Sequence, residues 1–143
     1  MGLNGLLDIE LSVPNPQELN DFWLRRGMVQ TADGVLGTFD RAVQLRLAEG
    51  TYRHMSELHL SCDAEQDLAA IATRIGDLGV TSTVTGTRLT CIDPVFGHRV
   101  VIDVGAQHPL SPSQQRAWNH AGDTQRNNNR APAVTEESLR VPR

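Results

Sequence analysis

The sequence predicts an α+β fold made of two tandem modules, each reading strand, helix, then two or three further strands. Three observations predict it. Leu7-Asp8-Ile9-Glu10-Leu11-Ser12-Val13 and Ser56-Glu57-Leu58-His59-Leu60-Ser61-Cys62 alternate polar and apolar residues as half-buried strands do, and they align as an internal repeat of about 49 residues. Each of these segments runs into a stretch with helix start and stop signals. Short alternating segments follow each helix, punctuated by Gly34, Gly50, Gly86 and Gly97.

In the first module, Ile9, Leu11 and Val13 form the strand face that packs on helices, and Asp8, Glu10 and Ser12 form the other. The helix starts at Asn15-Pro16-Gln17-Glu18, where Asn can cap, Pro suits the first helical position and Glu18 sits at the reach-back position. Leu19, Phe22, Trp23 and Arg26 follow at helical spacing, so Phe22 and Trp23 are expected in the core or an interface, and Gly27 supplies the left-handed stop. Strands are then expected over Val35 to Phe39 and Ala42 to Leu47, the latter with Gln44 and Arg46 on its polar phase. In the second module, Asp63 is expected to cap a helix with Gln66 reaching back, and Leu68, Ile71, Ile75 and Leu78 form its buried stripe before Gly79. Strands follow at Ser82 to Thr85, Arg88 to Ile92 and Arg99 to Val104. The polar face of the paired strands carries Glu57, His59 and Ser61 beside Asp8, Glu10 and Ser12.

Beyond Gly105 the composition changes, with Pro109, Pro112, Pro132, Pro142 and the run Asn127 to Asn129. Residues 106–143 read as a flexible tail or linker with one short helix around Ser113 to Trp118, and residues 1–105 as the domain, with repeats over approximately 5–54 and 55–105. In a chain of 143 residues, 39% hydrophobic and 21% charged, no apolar run approaches the ~20 residues of a membrane helix, so no membrane partner is expected. The amino terminus carries no export signal, and a cytoplasmic location is the expectation. Net charge is −4 and the basic residues are scattered, which argues against nucleic acid. All 13 basic residues are arginine, which excludes Schiff-base catalysis. Cys62 and Cys91 form no CxxC pair and have no evident basic partner, so they read as buried thiols. No GxSxG nucleophile motif is present.

The doubled unit opens Leu-Asp-Ile-Glu-Leu-Ser-Val-Pro and Glu-Leu-His-Leu-Ser-Cys-Asp, and it closes Ile92-Asp93-Pro94-Val95-Phe96-Gly97-His98-Arg99. In these features it resembles the vicinal oxygen chelate superfamily, which includes glyoxalase I, bleomycin-resistance proteins, methylmalonyl-CoA epimerase and type I extradiol dioxygenases. The resemblance spans residues 5 to about 105. The stretch from Val43 to His54 is most similar to the amino-terminal module of two-module extradiol dioxygenases. Arg130-Ala131-Pro132 through Arg143 resembles the connector into their second, iron-bearing module, which suggests a separate half or a truncation. The resemblance implies βαβββ modules whose sheets join into one open, cup-shaped mixed sheet with helices outside.

It also implies where metal ligands would lie. The first-strand histidine position falls on Asp8, the position related to it by the repeat on Glu57, and the glutamate that follows the Gly-His-Arg turn on Val101. The fourth position, on the strand of Gln44 and Arg46, carries neither histidine nor carboxylate in either phase. Valine cannot ligate, so no catalytic iron or other cofactor is expected on this chain; if the protein is a dioxygenase, Fe2+ belongs to a partner module. Asp8 and Glu57 with Gln44 leave a hard cation such as magnesium or calcium as a minor alternative. His59 is read as a hydrogen-bonded cup residue, His54 as a loop residue, His98 as part of a turn, and His108 and His120 as solvated.

Three function classes follow, in order. The first is the non-catalytic amino-terminal half of an extradiol catechol dioxygenase, paired with a second vicinal oxygen chelate module. The second is a self-contained protein, dimeric through its open sheet edges, that binds a small aromatic or other molecule in a cup of Asp8, Glu10, Gln44, Arg46, Glu57, His59 and Val101. The third is a metal-dependent or acid–base lyase or isomerase, in which crowding of Asp8, Glu10 and Glu57 raises the proton affinity of one carboxylate; a groove balanced by Arg46 and Arg99 is the simpler reading of the same residues.

Overall fold

The computed structural model describes residues 2–38 and 41–106. The tail, with the helix expected around Ser113 to Trp118 and with His108 and His120, lies outside the described residues. The elements are β1 (Leu3–Val13), α1 (Pro16–Leu24), β2 (Val29–Ala32), β3 (Val35–Gly37), β4 (Leu45–Glu49), β5 (His54–Cys62), α2 (Glu65–Asp77), β6 (Ser82–Thr85), β7 (Arg88–Ile92) and β8 (Arg99–Val104). All strands join one mixed sheet in the order β2-β3-β4-β1-β5-β8-β7-β6. Read outward from its centre, each half has the same order, and each is a βαβββ unit.

A local twofold relates the halves, and the strand register fixes it. Ile9 of β1 pairs with Leu58 of β5, Asp8 with His59 and Glu10 with Glu57, which is the pairing that the sequence repeat demands if the axis passes through Ile9 and Leu58. Two of the three irregularities between β1 and β5 obey the same axis. Leu7 is the extra residue between the Leu6 and Asp8 pairs, and Ser56 is the extra residue between those of Glu10 and Leu11. β4 runs parallel to β1 as β8 runs parallel to β5. The Gly50 N–H donates to the Val13 carbonyl at 2.9 Å, and the Gly105 N–H to that of Cys62 at 2.9 Å. Since Glu10 stands beside Arg46 and His59 beside Val101, the axis makes Arg46 the counterpart of Val101.

The helix faces differ. Leu68 and Ile71 of α2 close a core with Cys62, Leu89 and Ile102, flanked by Leu60, Ile75, Val100 and Val104. Leu78 does not extend this stripe: it lies past the end of α2 and is 81% exposed. α1 buries only Asn20, and Phe22 is 40% exposed rather than in the core, held by an edge contact to Trp23 and by the Arg26 guanidinium over its ring. A nine-residue helix contacting chiefly β4 has little apolar sheet to cover.

The helix starts differ as well. Asn15 caps α1, its Oδ1 accepting from the Glu18 N–H at 3.2 Å. Asp63 does not cap α2; the cap position is Ala64, in extended conformation and without a side-chain acceptor. The β1–β5 pairing brings Asn4 alongside, and its Nδ2 donates to Asp63 at 2.7 Å.

In the first half, β3 covers the start of the segment expected to Phe39, β4 begins at Leu45 rather than Ala42, and the exposed edge strand β2 was not anticipated. Gly34 makes the β2–β3 turn at φ +65°, where its carbonyl accepts from the Leu47 N–H; a side chain there would meet the Leu47 carbonyl oxygen at 2.8 Å. The three last strands fall where the alternation puts them. No helix among the described residues is long and apolar enough to cross a membrane.

Candidate functional site

With Leu60, Val100 and Ile102 packed under α2, strand alternation turns Glu57, His59, Val101 and Asp103 to the opposite face, where β1 adds Asp8 and Glu10 and β4 adds Arg46. These side chains form one network. The Arg46 guanidinium reaches three carboxylates from β1 and β5: Nε donates to Asp8 Oδ1 at 2.7 Å, Nη1 to Glu10 Oε2 at 2.9 Å and Nη2 to Glu57 Oε1 at 2.5 Å. Burial pulls its pKa down, but the hydrogen bonds to Asp8 and Glu57 more than offset this and hold it above the usual arginine value.

His59 bridges the halves. Its Nδ1 lies 2.9 Å from Asp8 Oδ2 and its Nε2 2.8 Å from Asp103 Oδ2. The ring thus spans two carboxylates, one from each half. Asp103 is gripped further by Arg88, whose Nε and Nη2 donate at 2.7 Å each. That fork, helped by His59 and opposed by burial, holds the Asp103 carboxyl below the usual carboxylate range. At the other end, Arg99 Nη1 lies 3.6 Å from Glu57 Oε2, and the Ser56 hydroxyl donates to Glu10 Oε1 at 2.8 Å. Seven of the eight carboxylate oxygens of Asp8, Glu10, Glu57 and Asp103 thus have a partner of this chain within hydrogen-bond distance, and the eighth, Glu57 Oε2, faces Arg99.

Of the residues expected in the cup, Asp8, Glu10, Arg46, Glu57 and His59 meet in this network. Val101 lies beside His59 in register and is buried. Gln44 stands one residue before β4, where its main chain bonds Leu36 and Ile9. The mutual repulsion on which the acid–base reading depends is countered, because Arg46 stands among the three acids.

His54 is not in a loop but opens β5, stacked on Tyr52. His98 closes its turn: its carbonyl accepts from the Asp93 N–H, while the Asp93 carboxylate accepts from the N–H groups of Phe96 and Val95, which hold it below the usual range. Both thiols are held above their usual value by burial, Cys62 fully buried and Cys91 half-buried.

Sequence reasoning missed three members of the network. Asp103 shares the phase of Val101 on β8, Arg88 is the register partner of Asp103 on β7, and Ser56 is turned toward Glu10 by the bulge. The first two were legible from strand alternation; the bulge was not. A separate groove of about 360 Å3 lies at the start of α1, walled by Val13, Pro14, Leu19 and Phe22 with Arg53 at its rim, and shares no residue with the network.

No protein-family model matches this chain, and no curated protein does. Solved structures do. The chain is similar to the crystal structure of BphC, a halotolerant catechol dioxygenase (TM-score 0.62, 15% identity, 79% of this chain and 42% of that one). It is similar to a catechol 2,3-dioxygenase (0.62, 18%, 76% and 43%) and to the Mn(II)-bound glyoxalase from Novosphingobium aromaticivorans (0.60, 12%, 77% and 43%). The fold is therefore the vicinal oxygen chelate fold, and the chain spans about two fifths of the length of these proteins. The metal known in one of them does not fit the donors here. Among the described residues no group of three or more His, Cys, Asp or Glu side chains is arranged to hold an ion, and the acids are already paired with arginine and histidine.

Proposed function

We propose that this chain is the non-catalytic amino-terminal half of an extradiol-type ring-cleaving dioxygenase, working with a second module of the same fold that carries iron and binds the catechol. The observation that carries this reading is the donor set of the cup: where iron-holding relatives present imidazoles and a terminal carboxylate, this chain presents Asp8, Glu57 and Val101, with Arg46 closed on the acids. The cup network then has a structural task, which is to lock the central β1–β5 seam and present a stiff sheet to the partner. A cytoplasmic location agrees with a dioxygenase of aromatic catabolism.

The test is co-expression with an iron module encoded in a neighbouring reading frame of the same genome. The pair is expected to cleave catechol to a yellow ring-fission product, and the isolated chain supplied with ferrous iron is expected to give none. Ring cleavage by the isolated chain overturns the reading.

A further inference from the structure

We propose that the Arg46 guanidinium is the resident cation of the cup, standing among Asp8, Glu10 and Glu57 and closing that place to divalent metal ions. This goes beyond the pairing with a second module and holds whether or not such a module exists.

Three observations carry the proposal. The first is coordination by the chain itself: Nε, Nη1 and Nη2 each take a different carboxylate, so three acids from two strands converge on one cation supplied by a third strand. The planar fork of arginine suits such a task, and it cannot give up its charge. The second is saturation. An ion taking the place of the guanidinium, among all three acids, would have to break three charge-assisted hydrogen bonds.

The third is symmetry combined with charge. The local twofold that relates Asp8 to Glu57 relates Arg46 to Val101, so of four equivalent inward places two hold acids, one holds a cation and one is apolar. The four acids Asp8, Glu10, Glu57 and Asp103 face three arginines, Arg46, Arg88 and Arg99, with His59 between Asp8 and Asp103. A divalent ion added beside Arg46 brings two further positive charges to acids that arginine already holds. If it displaces Arg46, it strands a guanidinium whose side chain is only 27% exposed.

The experiment uses Mn2+ itself as probe on the full chain, reading the paramagnetic broadening of amide signals. In the wild type the signals of Ile9 and Leu58, at the centre of the cup floor, are expected to stay sharp. In Arg46→Met, which vacates the place without adding a donor, Mn2+ is expected to bind about tenfold or more tightly and to erase those signals. Adding Asp8→Asn to that variant is expected to restore them. Broadening of Ile9 and Leu58 in the wild type overturns the proposal, and so does a folded Arg46→Met that leaves them sharp. An Arg46→Met chain that folds only with Mn2+ present supports it. If the variant folds in neither buffer, the wild-type spectrum decides alone: sharp signals support the proposal and broadened ones overturn it. Failure of the iron module to restore ring cleavage would touch the proposed function and leave this result as it stands.

Discussion

The two halves share a skeleton down to a matched pair of bulges, yet they divide the labour. Bulges at Leu7 and Ser56, parallel closing strands and the matched Gly50 and Gly105 hydrogen bonds repeat across the axis. The apolar core does not: α2 sits on a closed cluster, whereas α1 buries a single asparagine. Nor does the charge. The first half places an arginine where the second has a valine, and the second places Asp103 on β8 where β4 has Ala48. Backbone register rests on alternation and pairing, which tolerate many side chains; core and cup rest on individual residues, which are free to diverge once the frame is set.

The sharpest way to break this contrast is to truncate one side chain in each helix. Leu68, 1% exposed and surrounded by the core, is expected to lose about 2–5 kcal/mol on Leu68→Ala. Phe22→Ala, at 40% exposure, is expected to lose under about 1 kcal/mol. Urea midpoints of the two variants check the ratio. Equal losses would mean that α1 packs as tightly as α2.

The charge contrast is next in size. Arg46→Met leaves Asp8, Glu10 and Glu57 without the cation between them. Breaking a fully buried pair costs about 3–5 kcal/mol, and partial exposure brings the expected loss down to about 2 kcal/mol. His59→Gln, which keeps a polar contact to one of the two bridged acids, is expected to cost about 1 kcal/mol. Urea midpoints of the two variants check the order.

The division also explains what the sequence could be read for. The repeat, the three strands of the second half and the helix start at Asn15 follow from alternation and capping chemistry, which are local. The acids, Arg46 and His59 were legible as one polar face because the period of a strand is fixed. Ser56 was not, because a bulge shifts phase without a signal in composition, and β2 was not, because its exposed residues show no apolar alternation. Phe22 lies outside the core for a different reason: helical spacing shows which residues share a stripe, not how much sheet lies beneath it.

The pH dependence sharpens the second half. Arg88 and His59 hold Asp103 below its ordinary value. A carboxyl depressed in the folded state adds stability that is complete above its unfolded value, about 3.9, and is lost as pH falls through the lower folded value. The melting temperature of the wild type is therefore expected to exceed that of Asp103→Asn near neutrality, with the gap closing on acidification below about pH 4. A gap that widens toward acid contradicts the assignment of the fork.

The smallest expected effect runs in the stabilising direction and tests whether the helix starts differ for want of one oxygen. Asn15 satisfies an N–H of α1, whereas Ala64 has no side-chain oxygen to offer the first turn of α2. The Ala64 backbone already has the extended geometry of a cap, at φ −150° and ψ 162°. Ala64→Ser therefore needs no rearrangement: its hydroxyl can accept from an N–H in the first turn while Asp63 keeps its bond to Asn4. A gain of about 0.5–1 kcal/mol in urea is expected, and Asn15→Ala should lose a similar amount from α1. If Ala64→Ser gains nothing while Asn15→Ala costs the full cap, the first turn of α2 is already satisfied by the chain entering from β5, and the asymmetry of the helix starts lies in the approach of the strand rather than in the capping residue.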